Sequence, residues 1–297
     1  LNIGGQPDIN GIRGAKENTI PVKPIASFQE RFKSLLDYHL PSEVAVIGGG
    51  AAGCELALAL ITRWKTETGQ APKLTIISKS NKLLPGMARR ASTLIEKEMR
   101  SIGTEIILGR SVILAERGGL TLDNDQTISF DVCFLVTQVS APKWLGNSGL
   151  QLDKDGFVSV TESLQSVSHP YIFAAGDISS IDKAPRPKAG VFAVRAGKIL
   201  ARNLRLYIKG KPLIRWTPQK HYLALIGMGD RAAIATRGNL AISGTLFWRV
   251  KCWIDLRFVK KFRNLSMREP TAIAPFFGIT SSQSSTHSKT EAFKNKK

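Results

Sequence analysis

Acidic residues are scarce in this sequence: 23 Asp and Glu stand against 42 Lys and Arg, a formal charge of +19 over 297 residues. Such a balance favours contact with a polyanion, whether nucleotide phosphates, an anionic membrane face or nucleic acid, and charge alone does not choose among them. The basic residues thicken from about Lys198 onward, which puts the expected contact surface in the last third of the chain. Cysteine is rarer still. Cys54, Cys133 and Cys252 lie far apart without CxxC or CxxxxC spacing, which argues against a disulfide framework, a zinc site and a redox dithiol, and leaves three free thiols. Long hydrophobic runs are missing: no stretch reaches the roughly 18 apolar residues of a spanning helix, and the start has no signal-peptide pattern. The chain opens on Leu1 within what reads as a domain, so a fragment of a longer protein is expected, cytoplasmic or peripheral to a membrane.

What is present suffices for globular cores, with 43% apolar residues and a length that supports one large or two ordinary domains. Residues 1–30 are rich in Gly and Pro and read as the end of a strand followed by a linker. Within 31–145, an amphipathic helix over 28–40 stops before Pro41, and a β-α-β pattern follows: strand Val44–Ile47, helix from Gly53 to about Lys65, strand Leu74–Ile77. A second helix, Met87–Ile102, leads to the strand "TEIILG", and alternating segments around the turn at 123–125 predict a small antiparallel meander. In 146–210 the pattern is a hairpin turning at Asp155 and Gly156, a buried strand "HPYIFAAGDIS" and a helix from Ala189 to Tyr207. An antiparallel pair and a basic, aromatic helix fill 211–265 as an α+β region, and the Ser/Thr/Lys-rich tail over 266–297 reads as disordered.

The segment "VAVIGGGAAGCELALAL" carries the strongest signal. Gly48, Gly50 and Gly53 satisfy GxGxxG between a strand and a helix, with Gly49, Ala51 and Ala52 completing the loop. In a dinucleotide site Gly48 makes the tight turn, Gly50 lets backbone approach a pyrophosphate, Gly53 permits close helix packing, and the helix N-terminus supplies positive dipole. The next strand of such a fold ends in an acid for the ribose 2′-hydroxyl. Here it ends in Ser78 and Lys79, with Lys82 beyond. Two readings stand: these residues bind a 2′-phosphate, which allows NADPH, or the lysines form an ordinary solvated turn. Glu55, early in the helix, suits the dipole whatever its role, and Cys54 beside it reads as a small packing thiol.

These stretches resemble the pyridine nucleotide-disulfide oxidoreductase superfamily over roughly residues 1–265, and within it the NADH dehydrogenase-like flavoproteins associated with selenide, water dikinase. "VIGGGAAGCELALAL" is similar to the inserted NAD(P)H-binding domain, "FLVTQVSAP" with Thr137 to the segment returning to the FAD domain, and "HPYIFAAGDIS" with Gly176 and Asp177 to the second FAD motif. The most branch-specific stretches are "PRPKAGVFAVRAGKILARNL" and "FWRVKCWIDLRF". The resemblance implies an α/β fold with a Rossmann-like NAD(P)-binding domain, a parallel sheet with an antiparallel meander, plus a partial FAD-binding domain. It implies FAD and NAD(P)H as cofactors, Glu55 near nicotinamide and flavin, Asp177 on the ribitol, and Lys188, Ala189 and Gly190 beside the isoalloxazine. Three departures stand out. The first GxGxxG for FAD belongs upstream of Leu1; Gln138 follows Thr137 where the family has Gly; and no redox cysteine pair exists.

The expected activity is hydride transfer from NAD(P)H to FAD and on to an acceptor such as a quinone; the alternative is a non-catalytic remnant that keeps nucleotide or membrane-surface binding. The helix from Thr245 to Phe262 interleaves aromatic with basic residues. This suits an anionic membrane interface, and equally a helix packed on its own domain or on a second subunit of a homodimer. No recognised nucleic-acid module accompanies the charge.

Overall fold

The computed structural model describes residues 1–263 except Asn10, His39 and Lys183, so the tail expected at 266–297 lies outside the described residues. In chain order the elements are β1 (Gln6–Pro7), α1 (Ala15–Asn18), β2 (Ile20–Pro21), α2 (Ile25–Tyr38), β3 (Glu43–Ile47), α3 (Ala51–Thr68), β4 (Lys73–Ser78), α4 (Arg89–Ser101), β5 (Glu105–Leu108), β6 (Val112–Glu116), β7 (Gly119–Leu122), β8 (Thr127–Ser129), β9 (Val132–Leu135) and β10 (Val139–Ser140). They continue with β11 (Val158–Val160), β12 (Ser179–Ile181), α5 (Gly190–Ile208), β13 (Ala224–Gly227), β14 (Ala233–Arg237), β15 (Leu240–Gly244) and α6 (Thr245–Arg263). Residues 1–252 form one compact unit, and the described residues 253–263 fall in a second.

The fold is α/β. Five parallel strands in the order β2-β9-β3-β4-β5 make the central sheet, and the antiparallel meander β6-β7-β8 stands beside it. Strand β3 shows how sequence produces the layers. Its side chains alternate, and both faces are apolar, as a strand buried on two sides requires. Val44 and Val46 join Leu58, Ile61 and Trp64 of α3 and Ile95 and Met99 of α4, whereas Ala45 and Ile47 join Leu120, Leu122 and Ile128 of the meander. On α4 the buried Ala91, Ile95 and Met99 recur every fourth residue, so one stripe of the helix faces the sheet. A third core gathers Val158, Val160, Phe173, Ala174 and Ile178 with Ala196 of α5.

Several local expectations change. The stretch over 1–30 is more than a linker: β2 pairs in parallel with β9 as the sheet's edge strand, and β1 pairs with β10. Helix α3 begins at Ala51 and ends at Thr68, because Gly50 takes the N-cap position and Gly69, at φ 76°, ends the helix in the left-handed region. The turn at Asp155 and Gly156 forms as expected, with Asp153 Oδ1 accepting the Asp155 and Phe157 amides. The hairpin is short, with Leu152 bridging Val158 antiparallel and the Ser159 N–H donating to the Gln151 carbonyl at 2.9 Å, and β11 also pairs in parallel with β12. The segment 173–175 is buried but is no regular strand: Phe173 forms an isolated bridge with Gln165, the Ala174 N–H donates to the Leu164 carbonyl, and Phe173 and Ala175 exchange bonds with Leu1. The antiparallel pair expected near 224–244 is a three-stranded sheet, β13-β14-β15, because the Gly238 turn returns the chain a second time.

Trp64 ties these layers together. It is 2% exposed, and its Nε1–H donates to the Pro41 carbonyl at 2.7 Å. Replacing Trp64 by Phe keeps a ring in the core but strands that carbonyl, so Trp64→Phe is expected to lower stability by about 1–3 kcal/mol, read as a reduced urea midpoint by far-UV circular dichroism.

Candidate functional site

The carboxyl ends of β3, β4, β5 and β9 converge on one rim of the sheet, where open α/β sheets hold ligands. The glycine loop sits at its centre. Gly48 has φ 128°, and a Cβ on it would lie 2.2 Å from the Val136 carbonyl oxygen at the end of β9. A Cβ on Gly53 would lie 1.8 Å from the Gly48 carbonyl oxygen, so the first turn of α3 rests directly on the loop. Gly49 is covered: its Cβ would meet Ser78 at 2.6 Å, and its carbonyl accepts the Leu84 amide at 2.8 Å. Gly50 is the contrast, with nothing within 4 Å of its ideal Cβ. The first helical hydrogen bond runs from the Cys54 N–H to the Gly50 carbonyl, so the Ala51, Ala52 and Gly53 amides begin a helix whose orphan N–H groups and dipole face the space beside Gly50. A pyrophosphate fits that space by charge and by clearance.

The other expected residues divide between this rim and a second place. Ser78 is 4% exposed and its Oγ accepts the Ser80 amide at 3.2 Å, while Lys79 is exposed beside it. Thr137 is engaged: its hydroxyl donates to the Asp8 carbonyl at 2.7 Å and stitches the end of β9 to the N-terminal segment. Gly176, Asp177, Lys188 and Ala189 line an open cleft with Arg186, Phe192 and Trp216, and Gly190 starts α5 after Ala189. Gly176, at φ 79°, lies against the Asn2 side chain, and Asp177, 17% exposed, accepts from Lys23 Nζ at 3.1 Å. Lys188 Nζ donates to the Ser179 carbonyl at 2.7 Å and stands 3.7 Å over the Phe157 ring. Burial lowers its pKa below the usual lysine value, against the pull of Asp153, Asp177 and Asp155.

Glu55 takes a different position from that of a residue open to the glycine loop. Its Oε1 accepts the Gly227 amide of β13 at 2.8 Å and Lys251 Nζ of α6 at 3.3 Å. Cys54 is buried, and desolvation pushes its thiol up to about 12, so it stays protonated at neutral pH. Lys23, Arg186 and Trp216 were not singled out by the sequence, and Lys251 stood out only as one of the cations of the basic helix. Lys23 sits in an apparently plain Pro-rich stretch and Lys251 in a helix with many cations, so neither carried a local signal.

A strand, a GxGxxG loop and a helix at the carboxyl rim of a parallel sheet define a dinucleotide-binding α/β protein. The pattern of the pyridine nucleotide-disulphide oxidoreductase family matches residues 1–197, and the chain belongs to that family. NADH dehydrogenase-like protein YutJ of Bacillus subtilis is 23% identical, over 82% of this chain and 66% of that protein. A type II NADH:quinone oxidoreductase of Haemophilus influenzae is 25% identical, over 62% of this chain and 44% of that protein. The crystal structure of an FAD-dependent pyridine nucleotide-disulphide oxidoreductase from Desulfovibrio vulgaris shares the fold, with a TM-score of 0.64 at 21% identity, covering 80% of this chain and 59% of that one. The chain thus spans about half to two thirds of these relatives' length.

The glycines separate fold from binding. Gly48→Ala forces a strained φ and a backbone clash and is expected to cost at least about 3 kcal/mol of stability. Gly50→Ala meets no atom and is expected to change stability by less than about 1 kcal/mol, while its methyl group enters the pyrophosphate space and abolishes nucleotide binding. Thermal unfolding and calorimetric titration with ADP-ribose read the two effects.

Proposed function

We propose that this chain is the NAD(P)H-docking domain and second flavin-contacting segment of an FAD-dependent NAD(P)H oxidoreductase that hands electrons to an acceptor such as a quinone. The observation that carries this is the glycine loop, closed on every side except at Gly50, in a chain of this family. The relatives named NADH dehydrogenase-like protein and NADH:quinone oxidoreductase support the donor and acceptor classes, and the FAD-dependent neighbour supports the flavin.

In this reading residues 31–145 hold NAD(P)H, with the pyrophosphate at Gly50 and the α3 N-terminus and the adenosine ribose at Ser78 and Lys79. Residues 1–30 and 146–210 supply the flavin side, where Asp177 accepts from ribitol hydroxyls and Lys188, Ala189 and Gly190 border the ring; 211–265 form the C-terminal region. When bound, the flavin supplies hydride acceptance; the chain's own residues bind, orient and exclude water. The narrower likeness to the branch associated with selenide, water dikinase rests on "PRPKAGVFAVRAGKILARNL" and "FWRVKCWIDLRF".

A second reading, a non-catalytic protein that keeps nucleotide binding, is favoured by one observation: Glu55 and Asp177, the two carboxylates expected at the cofactors, are both held by lysines. A supporting role for α6 at an anionic membrane surface, or at a homodimer contact, follows from its 60% exposed Trp253, with the Arg257 guanidinium 5.3 Å from the ring, and from the exposed Leu256 and Val259. Among the described residues no helix is long and apolar enough to cross a membrane.

The test is an absorption spectrum of the purified chain with added FAD, followed by anaerobic NADH or NADPH. A retained flavin band that bleaches on addition of the nucleotide supports the oxidoreductase; nucleotide binding without flavin retention supports the second reading. Asp177→Ala is expected to weaken FAD binding by about tenfold or more while leaving ADP-ribose affinity unchanged.

A further inference from the structure

The end of β4 has a chemistry that the name of neither NADH-using relative suggests. Strands β3 and β4 run in parallel with Ile47 opposite Ile77, and the Gly48 N–H donates to the Ile77 carbonyl at 2.8 Å. Ser78 and Lys79 are therefore the residues that follow the glycine turn across the rim, where a dinucleotide seated on the α3 N-terminus lays its adenosine ribose. An NADH site places a carboxylate there to accept both ribose hydroxyls, and that carboxylate repels a 2′-phosphate. Here the position holds a neutral hydroxyl followed by a cation.

Two backbone bonds bring a further cation to the same place. The Arg110 amide donates to the Ser78 carbonyl at 3.2 Å and the Gly109 amide to the Ser80 carbonyl at 3.0 Å, so the residue after β5 is fixed beside the end of β4. The Leu84 bond to Gly49 folds the loop carrying Lys82 back over the glycines. Among the described residues Lys79 and Lys82 have no ion-pair partner, and Arg110 has only Asp123 at 3.8 Å, a long contact. Three acids of the neighbouring segments have other partners: Glu96 accepts the Leu83 amide and the Ser92 hydroxyl, Glu105 accepts the Thr75 hydroxyl, and Asp123 accepts the Ser111 amide besides its contact with Arg110. Three cationic residues thus stand on the loops that follow β4 and β5, on the rim where NADPH differs from NADH, and a phosphate dianion is the charge they complement.

We propose that Lys79, Lys82 and Arg110, set around the neutral Ser78, select the 2′-phosphorylated dinucleotide, so that the electron donor is NADPH in preference to NADH. The proposal rests on the glycine loop being the pyrophosphate seat. It concerns affinity for the adenosine half and needs no flavin, so it is tested without turnover.

The experiment is calorimetric titration of the purified chain with 2′-phospho-ADP-ribose and, separately, ADP-ribose at matched ionic strength. The 2′-phosphorylated ligand is expected to bind about tenfold or more tightly, with a steeper loss of affinity as salt is raised. In a Lys79→Ala/Lys82→Ala variant, shown to be folded by an unchanged thermal transition, the two affinities are expected to converge to within about threefold, because two of the three cations are gone. Equal affinities in the unmodified chain, or tighter ADP-ribose, overturn the proposal and leave the glycine-loop reading intact. Binding of neither ligand overturns both.

Discussion

Two carbonyl oxygens decide how closely helix α3 approaches the sheet. The Gly48 carbonyl faces Gly53 and the Val136 carbonyl faces Gly48, at distances where any Cβ would overlap an oxygen. Everything at the rim follows from those contacts. Because the helix starts on top of the loop, its orphan amides open onto Gly50, the one glycine of the motif with clear space beside it. Because the loop rests on the end of β9, the order β9-β3-β4 and the paired ends of β4 and β5 place Ser78, Lys79 and Arg110 around the same opening. A positive dipole, a bare backbone and several cations on one rim suit a nucleotide by charge and clearance, and 42 basic against 23 acidic residues add a favourable long-range field.

The second cluster obeys a different constraint. Asp177 follows a buried segment that ends at the left-handed Gly176, and its carboxylate is held by Lys23, which comes from the stretch between β2 and α2. The N-terminal segment thus does two things: β2 closes the sheet beside β9, and two residues later Lys23 reaches Asp177 in the second cleft. Glu55 makes a comparable link, from the first turns of α3 to β13 and α6. Both carboxylates serve as joints between segments distant in sequence, each paired with a lysine.

The sequence carried much of this because the relevant physics is local. The buried run before the glycines, the GxGxxG spacing, the apolar stripe on α4 and the turns at 123–125 and 155–156 each depend on neighbours a few residues away. What it did not carry depends on distant partners. Residues 6–7 and 20–21 look like linker because strands of two residues have no period to read, and only β9 and β10 make them strands. Ser179–Ile181 looks like the trailing edge of a Gly-Asp turn, and its parallel pairing with β11 spans a stretch with no signal of its own. Glu55 was legible as a helix-start carboxylate but not as the partner of Lys251, 196 residues away by their numbers. Lys23, Arg186 and Trp216 escaped for the same reason.

The central claim is that the loop over residues 48–53 and the first turn of α3 are where the nucleotide phosphates bind. Amide hydrogen exchange, followed by mass spectrometry on peptides covering 44–58, 76–84 and 224–244 with and without saturating NADPH, tests it most directly. The account predicts slowed exchange at the Gly50 to Gly53 amides together with 78–82, and unchanged exchange over the β13-β14-β15 sheet. Protection confined to other parts of the chain, or no protection under conditions where NADPH is shown to bind, would contradict it.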